Sequence, residues 1–431
     1  MIVNRGDVSA ATRTADGTLA SSYEETRSLT EQLCAPLAIE DYGVQSMPDA
    51  SPAKWHLAHT AWFFETFVLA DSDPSYRPFH PQFGYLFNSY YNSVGSYWPR
   101  SQRGLLARPT VAEVYRYRQH VDRAVLRLLH HEGPALTPLI RNRIVLGLNH
   151  EQQHQELLLT DLKHTFAGNP LRPSYRETSP PLAGTATPLR WLRYPDGLCW
   201  IGHDGPGFAY DNETPRHRVF LAPFQLASRL VNCGEYRAFM DDDGYRRPEL
   251  WLSEGWAECR AHDWQAPLYW ERQDGAWHSM TLGGWQPVRD ADPVCHVSYF
   301  EADAYTRWAG ARLPTEFEWE IAAGQCPLIG TFLDEERLHP QPAADDAVNP
   351  GPAQMFGDVW QWTGSAYLAY PGYRPLPGAL GEYNGKFMCN QMVLRGGSCA
   401  TPRTHFRRSY RNFFPPHARW QFSGIRLAND A

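Results

Sequence analysis

The sequence predicts two domains, an N-terminal four-helix bundle followed by an α+β domain with much irregular loop. Residues 22–165 contain long segments of helical period with few glycines, whereas the later part has short β-like runs separated by glycine and proline. Most of the 16 tryptophans lie after residue 190, which favours an aromatic core in that half. At 431 residues the chain is long enough for two or three domains.

The bundle is predicted from four segments with apolar residues three or four positions apart. Ser51 before Pro52 is typical of an N-cap followed by proline at the first helical position, and Thr110 is expected to cap the third helix. The connection over residues 71–109 is longer than a bundle turn needs, so we expect it to be functional. The segments cover residues 23–37, 52–70, 110–131 and 138–164.

The domain boundary is predicted at residues 167–189, which are rich in proline, glycine, serine and threonine and have no period. The bundle domain would then cover residues 22–166 and the second domain residues 190–431. In the second domain only residues 232–241 and 299–308 have a convincing helical pattern. Its β-like runs are LCWIGH, HRVFLAPFQLA, CHVSYF, MVLRGGS and FSGIRLA.

Composition and charge exclude several classes of partner. A formal net charge of -7 and the lack of a long Lys/Arg run argue against a nucleic-acid partner, so a small-molecule substrate is expected. The first twenty residues lack the apolar core of a secretory signal, and no run is long enough to span a membrane. Eight dispersed cysteines without a CxxC motif favour reduced thiols. We therefore expect a cytoplasmic protein without a membrane partner.

Two histidines one helical turn apart are the main chemical signal in the sequence. His150 and His154 lie four residues apart in LNHEQQHQELLL, so their imidazoles share one helix face and can bind one ion. Glu156 lies two residues further, about 200° around the helix, which excludes it from the same ligand set. Glu156 is expected either to orient a ligand or to make a surface ion pair.

The third ligand is expected from another bundle helix, and the segment KWHLAHTAWFFE offers His56 and His59. His59 is the better candidate because it belongs to an inward-facing stripe, whereas His56 is expected to point elsewhere. An inward histidine is more often a hydrogen-bonded core residue, but its combination with the His150–His154 pair favours a metal. Three imidazoles suit zinc, iron or nickel alike. The other members of the stripe are Trp55, Ala58, Trp62 and Thr66.

Longer fragments reveal a resemblance that covers about residues 22–428. SPAKWHLAHTAWFFETF, FNSYYNSVG, RGLLARPT and LNHEQQHQELLL resemble the DinB-like bundle of the sulfoxide synthases of ergothioneine biosynthesis. NETPRHRVFLAPFQLASRLVNCGEY, GARLPTEFEWEIAA, GDVWQWTGSAY and VLRGGS resemble the formylglycine-generating-enzyme (sulfatase-modifying-factor) domain, which has a C-type-lectin-like fold. The ending SYRNFFPPHARWQFSGIRLA is similar to that of the same synthases.

The resemblance implies an iron(II) enzyme that uses O2. It would join a cysteine-type thiol to C2 of the imidazole of hercynine (Nα-trimethylhistidine) and leave a sulfoxide. In that family one ligand comes from a WxLAH-type helix and two from an HxxxH motif, which map onto His59, His150 and His154. The choice of iron over zinc or nickel therefore follows from the resemblance and not from the ligand pattern.

The resemblance also implies the substrate contacts. Gln153 and the segment Asn412, Phe413 and Phe414 would bind hercynine, whose quaternary ammonium favours aromatic faces. Without the resemblance, core packing of the two phenylalanines and a surface position for Gln153 would be the better interpretations. Tyr373 is expected to be a further substrate contact.

The sulfur donor is expected to bind through its carboxylate. Arg100 and Arg103 form the RxxR that grips carboxylates in relatives that bind γ-glutamylcysteine, although solvated loop arginines would look the same. Some relatives have an acidic residue two positions after the asparagine, where this chain has Phe414. We therefore expect free cysteine to be a better donor than γ-glutamylcysteine.

A tyrosine is expected to supply the proton that O2 activation needs. The adjacent Tyr90 and Tyr91, close in sequence to Arg100, are the first candidates. Tyr370 and Tyr373 are the second, because some relatives use a tyrosine of the lectin-like domain.

Three other functions compete. A formylglycine-generating activity needs paired reactive cysteines, yet only Cys399 follows the RGGS motif. A DinB-type metal-dependent thiol transferase or a binding module would need no O2. A sibling synthase would act on free histidine, modify C5 or take a selenium donor.

Overall fold

The computed structural model describes residues 16–130, 136–177, 184, 187–344 and 351–431. The described chain forms two compact units. The first unit takes in the described part of Met1–Val44, with Ser51–His154 and Asp204–Ala209. The second unit comprises Gln45–Ala50, Gln155–His203 and Tyr210–Ala431. Of the proposed linker 167–189, residues 178–183, 185 and 186 lie outside the described residues, and the remaining residues after 167 form no helix or strand.

Four long helices build the helical part of the chain, as the periodicity predicts. They are α1 (Asp16–Cys34), α2 (Ala53–Phe64), α3 (Val111–His130) and α4 (Pro138–Ala167). A π-helical turn, Glu65–Leu69, extends α2. The division between the two units falls inside α4, between His154 and Gln155.

Two predicted helix starts have different outcomes. The Thr110 cap is confirmed, because its hydroxyl oxygen accepts from the Glu113 amide at 3.2 Å while the Glu113 carboxylate accepts from the Thr110 amide at 2.7 Å. The Ser51 cap is wrong. Pro52 takes the cap position itself, and the helix begins at Ala53.

Helix α2 is buried on all sides. Every residue from Ala53 to Phe64 is buried, including two histidines and Lys54. The Lys54 ammonium donates to the Leu106 carbonyl at 2.6 Å, which satisfies one of its donors. A helix that is buried all round has no solvent face, so inward and outward positions cannot be told apart by a stripe.

A buried carboxylate holds the helices of the first unit together. Glu151 of α4 is fully buried and accepts from Arg27 of α1 at 2.7 Å and from Arg118 of α3 at 3.0 Å. Thr30 adds a third hydrogen bond at 2.7 Å. Since Glu151 directly follows His150, this network fixes the rotation of α4 at the histidine pair.

The second unit contains the strands of the chain and four helices of eight to ten residues. These helices are α5 (Cys233–Asp241), α6 (Ser253–Ala261), α7 (Tyr299–Trp308) and α8 (Glu316–Ala323). The predictions over residues 232–241 and 299–308 are confirmed, with Asn232 and Ser298 as the caps. Helices α6 and α8 were not predicted. The strand predicted over CHVSYF is wrong, because the Ser298–Glu301 capping box starts α7 inside that run.

The strands are short and form several small sheets. Strands β1, β4 and β14 form one antiparallel sheet, and a second sheet has the order β12-β11-β10-β13 with β10 and β13 parallel. Strands β2 and β3 pair, β5, β6 and β7 form a meander, and β8 pairs with β9. The strands are β1 (Trp191–Tyr194), β2 (Gly197–Ile201), β3 (His217–Leu221), β4 (Phe224–Ala227), β5 (Trp270–Gln273), β6 (Ala276–Thr281), β7 (Gly284–Pro287), β8 (Gly330–Thr331), β9 (Phe356–Gly357), β10 (Trp360–Ala366), β11 (Met392–Arg395), β12 (Asn412–Phe414), β13 (Ser423–Gly424) and β14 (Ala428–Asp430).

No helix within the described ranges combines the length and the apolarity that crossing a lipid bilayer requires. Every cysteine is a free thiol, and six of the eight are buried. Both findings agree with the composition.

A buried aspartate between β9 and β10 gives the second unit a predicted pH dependence. Asp358 has a left-handed backbone, with φ 56°, and accepts from the Gln341 amide at 2.9 Å. Burial raises the pKa of Asp358 to about 7, although the Gln341 amide lowers it in part. A carboxyl whose pKa is raised in the folded state stabilises the fold fully below its unfolded pKa, and this contribution is lost as pH rises through 7.

We expect Asp358→Asn to flatten the pH dependence of stability between about pH 4 and 7. The wild type should lose on the order of 2–4 kcal/mol of unfolding free energy across this window through Asp358. Asparagine keeps the acceptor for Gln341 and tolerates a left-handed backbone. Urea denaturation at several pH values measures the difference, with the exposed Asp274→Asn as the control. Parallel curves for wild type and Asp358→Asn would contradict the raised pKa.

Candidate metal centre

Three histidines of the first unit meet at one point. The ligand atoms of His59, His150 and His154 all lie within 4.8 Å of one another, and they form the one cluster of possible metal ligands within the described residues. Nε2 of His59 lies 3.2 Å from Nε2 of His150. His59 and His150 are buried, and His154 is half-buried. The structure thus brings together the three predicted ligands.

Aromatic rings fix the His59 imidazole. It stacks between Trp55, at 4.4 Å between ring centroids and 13° between planes, and Trp62, at 5.4 Å and 16°. Its Nδ1 lies 2.6 Å from the Phe87 carbonyl, to which it donates. The proton is therefore on Nδ1, and the lone pair of Nε2 faces His150 and His154.

His56 also belongs to the cluster, and the prediction that it points elsewhere is wrong. Its Nδ1 lies 2.9 Å from Nδ1 of His154. Positions 56 and 59 lie about 60° apart around a helix, and α2 is buried on both sides, so both rings can reach α4. A hydrogen bond between the two Nδ1 atoms leaves Nε2 of His154 for a metal. His56 thereby orients His154 as the Phe87 carbonyl orients His59.

The protonation of the cluster fits a divalent transition metal. Burial, and then the neighbouring His150, lower the pKa of His59 well below its usual range. Burial lowers the pKa of His150 to about 4, and burial with the other histidines lowers the pKa of His154. Nδ1 of His150 is buried without a hydrogen-bond partner among the described residues. Three neutral imidazoles, each with a ring nitrogen within 4.8 Å of the others, are a donor set that zinc, iron and nickel accept.

Glu156 is outside the cluster, but it is not a surface residue. Its buried carboxylate accepts from the Trp360 indole at 2.7 Å, from the Thr401 hydroxyl at 2.8 Å and from the Ser398 hydroxyl. Burial raises its pKa, although these hydrogen bonds lower it in part. Glu156 thus ties α4 to the GDVWQW and RGGS motifs inside the second unit, and the predicted surface ion pair is wrong.

The predicted arginine pair lies in the first unit beside its aromatic residues. Arg103 is buried, donates to the Ser51 and Ser89 hydroxyls at 2.9 Å each, and lies 3.4 Å above the Trp55 ring. Arg100 donates to the Tyr90 hydroxyl oxygen. Since the Trp55 ring stacks on His59, this ring lies between Arg103 and the histidine cluster.

The two neighbouring tyrosines have different surroundings. Tyr91 is buried and packs on Trp62, at 5.7 Å between ring centroids, and on Phe67 at 5.1 Å. Tyr90 is half-buried and holds the Arg100 guanidinium through its oxygen. Gln153, next to His154, is half-buried and has no side-chain hydrogen bond within the described chain.

The remaining predicted contacts lie in the second unit. Phe413 of β12 stacks on Tyr367 at 4.1 Å and 9°, and Phe414 meets Trp420 edge-on at 5.9 Å. Asn412 accepts from the amide of Phe413 at 2.9 Å. All three residues of β12 are half-buried, so each keeps some exposed surface.

The two tyrosines of the AYPGY segment donate to carboxylates. Tyr370 is buried and donates to Glu316 at 3.3 Å, while Tyr373 is half-buried and donates to Asp211 at 3.2 Å. Burial, and then these carboxylates, raise the pKa of both phenols. Both tyrosines lie in the second unit.

Known protein families match each of the two halves of the chain. Residues 22–158 match the DinB superfamily, and residues 190–349 and 346–431 match the sulfatase-modifying factor enzyme 1-like domain. A hercynine oxygenase of Mycolicibacterium thermoresistibile is 34% identical over 89% of this chain and 88% of its own. The chain belongs to the hercynine oxygenase family. This membership confirms the predicted fold class, a DinB-like bundle followed by a domain like the formylglycine-generating enzyme.

Further relatives cover the chain to different extents. A hercynine oxygenase of Mycolicibacterium smegmatis is 33% identical over 90% of this chain and 92% of its own. A formylglycine-generating enzyme of Streptomyces coelicolor is 28% identical over 56% of this chain and 89% of its own. The hercynine oxygenases thus match both halves, in the same order.

Two features of the centre were missed from the sequence. The His56–His154 contact and the Glu151 network depend on the rotation of α2 and α4, which periodicity does not give when a helix is buried all round. Glu151 lies in a polar stretch of α4, between His150 and Gln152, so no sequence signal marked it as buried.

Proposed function

We propose that the chain catalyses oxidative C–S bond formation between C2 of the hercynine imidazole and a cysteine-type thiol. The product is the sulfoxide, and the reaction belongs to ergothioneine biosynthesis. The observation that carries the proposal is the convergence of His59, His150 and His154 in a chain that resembles hercynine oxygenases over nearly its whole length. Fe(II) is the proposed metal, and O2 is a co-substrate.

The reaction balances without a further reductant. The thiol S–H and the imidazole C2–H bonds break, the C–S bond forms, and one oxygen atom becomes the sulfoxide while the other leaves as water. Formation of the C–S bond and of the S–O bond removes four electrons in total, which equals the capacity of one O2. Iron on neutral histidines supplies the redox chemistry that lets O2 react with a thiol.

The residues of the first unit would each have one task in this reaction. The three histidines would hold the metal, with His59 fixed by its ring stack and His154 by His56. Arg103 is held by two serine hydroxyls and the Trp55 face, so it is rigid enough to bind a thiol-substrate carboxylate. Arg100 would assist it.

Hercynine binding would use the half-buried aromatic residues of β12, Phe413 and Phe414. Aromatic rings suit a trimethylammonium group, which has no proton to donate. Asn412, Tyr373 and Gln153 would add polar contacts. Domain bounds of 22–166 and 190–431 with a linker between them remain part of the proposal.

Tyr90 and Tyr91 are the proposed proton donors. Arg100 donates to the Tyr90 oxygen and so leaves the phenol proton directed elsewhere, and Tyr91 packs against the ring that stacks on His59. Tyr370 and Tyr373 already donate to Glu316 and Asp211, which favours the first pair.

Replacing either tyrosine of the pair with phenylalanine should divert turnover from sulfoxide to thiol dioxygenation. Without the acid, we expect the rate of sulfoxide formation to fall by about a hundredfold in the responsible variant, while the thiol is oxidised to the sulfinic acid. Mass spectrometry of both products measures the ratio. Tyr85→Phe, an exposed tyrosine of the same loop, is the control. Unchanged sulfoxide yield in both variants would reject the pair.

Free cysteine is the proposed sulfur donor, because Phe414 offers no carboxylate for the amine of a γ-glutamyl group. We expect Phe414→Asp to raise kcat/KM for γ-glutamylcysteine relative to cysteine by about tenfold. Phe414→Asn, which adds no charge at the same position, is the matched control. If the wild type has a much higher kcat/KM for γ-glutamylcysteine than for cysteine, free cysteine is not the preferred sulfur donor.

The thiol of Cys399 argues against a formylglycine-generating activity. It is fully buried, and burial together with Cys295 raises its pKa well above the usual range. A buried neutral thiol is a poor nucleophile. The DinB-type thiol transferase differs in needing no O2.

Oxygen uptake tests the proposal against these rivals. The chain is loaded with Fe(II) under anaerobic conditions and mixed with hercynine and cysteine in an oxygen electrode. We expect one O2 consumed per sulfoxide formed, and no uptake without the metal. Product formation without O2 uptake would support a transferase instead.

A further inference from the structure

The second unit contains a cavity of about 380 Å³ that the proposed chemistry does not use. Lys163 of α4 lines it together with His296, and both side chains are 2% exposed. Trp270, Pro287 and Val288 supply apolar wall. The volume lies within the range of small-molecule sites.

The Lys163 ammonium is held but not neutralised. Its Nζ donates to Nε2 of His296 at 2.7 Å, and it lies 4.8 Å from the centroid of the Phe422 ring and 5.3 Å from that of Tyr269. These contacts hold the amine in place. An ammonium has three donors, and His296 accepts one.

No carboxylate pairs with this lysine among the described residues. The acid of the cavity is Asp292, and it is already bound by Arg289, whose Nε donates at 3.0 Å, and by Nε2 of His339 at 3.3 Å. Arg337 adds another positive charge to the lining. The other acidic neighbours of Lys163 are the thiols of Cys295 and Cys399. Burial raises the pKa of Cys295 to about 12 and that of Cys399 well above its usual range, so neither carries a negative charge at neutral pH.

We infer that this cavity binds a small organic or inorganic anion, whose carboxylate or phosphate group pairs with Lys163. A buried cation without a counter-ion is unfavourable unless a ligand supplies the opposite charge. The remaining ammonium donors suit oxyanion lone pairs. The apolar wall leaves room for a short carbon skeleton.

The composition of the chain makes a direct measurement possible. It contains three lysines, Lys54, Lys163 and Lys386, so a protein labelled with 13C at lysine Cε gives three assignable NMR signals. Inorganic phosphate, acetate and succinate are titrated at constant ionic strength, with chloride as the balancing salt. We expect a saturable shift of the Lys163 signal with at least one oxyanion, while the signal of the exposed Lys386 stays constant.

The titration also separates carboxylate from phosphate as the recognised group. Burial lowers the pKa of Lys163 to about 8, and a bound anion stabilises the charged amine. The same NMR signal should therefore titrate at higher pH with the favoured oxyanion present. The anion that raises the pKa of Lys163 more shows whether the cavity recognises a carboxylate or a phosphate.

Lys163→Met should weaken binding of the favoured anion by about tenfold to a hundredfold in isothermal titration calorimetry. Lys386→Met is the control, because that side chain is exposed and pairs with Glu382, four residues earlier in the chain. Lys163→Arg keeps the charge and should retain part of the affinity. A Lys163 signal that shifts no more than that of Lys386 with every anion would overturn the inference, even if a variant fails to fold.

Discussion

His154→Ala should lower the affinity for Fe(II) by more than about a hundredfold, since it removes one of three ligands. His154 is the half-buried member of the cluster, so its truncation disturbs packing least. The change also removes the partner of His56. Equilibrium dialysis with elemental analysis measures bound iron, and sulfoxide formation should fall with it.

The matched control is His130→Ala, which truncates an exposed histidine at the end of α3. It should bind one iron per chain with wild-type affinity. Circular dichroism of both variants shows whether the helices are retained. Stoichiometric, wild-type iron binding by His154→Ala would remove that histidine from the ligand set.

Glu151→Ala should destabilise the first unit by about 2–4 kcal/mol, because the buried Arg27 and Arg118 guanidiniums each lose a fully buried carboxylate. Each keeps one less buried partner, Asp122 for Arg27 and Glu31 for Arg118. The two arginines are 4% and 0% exposed, so water cannot replace the lost partner. The variant also removes the ion pairs that join α4 to α1 and α3 beside His150. Urea denaturation followed by helical circular dichroism measures the shift of the first transition.

Glu25→Ala is the control for Glu151, because it removes an exposed carboxylate from α1 and should change stability by less than about 0.5 kcal/mol. Glu151→Gln keeps an acceptor for Thr30 and should give an intermediate loss. Equal stability of Glu151→Ala and Glu25→Ala would show that the network does not hold the bundle.

Helical periodicity predicted the bundle helices, and one i,i+4 pair together with an inward histidine indicated the three histidines that the structure brings together. The four helices are long, so an error of a few residues at their ends leaves His59, His150 and His154 on the same faces. The same reasoning failed for His56. Stripe analysis assumes a solvent face, and α2 has none.

Contacts between distant parts of the chain could not be predicted from spacing. Glu156 binds groups 204 to 245 residues away, and Lys163 meets His296 133 residues away. These partners come together only in the folded second unit, so the spacing of residues in the sequence does not predict them. Helix α8 could have been predicted from the sequence, because Thr315 and Glu318 of the segment TEFE form a capping box.

One iron on three histidines is proposed to use O2 to join hercynine to a thiol. A single-turnover experiment with 18O2 tests this reaction most directly: the Fe(II)-loaded chain is mixed anaerobically with hercynine and cysteine, exposed to 18O2 and quenched for mass spectrometry, with γ-glutamylcysteine in a parallel sample. We expect one sulfoxide per iron, carrying a single 18O atom. Absence of sulfoxide with both donors, or a sulfoxide without 18O, would contradict the proposed reaction.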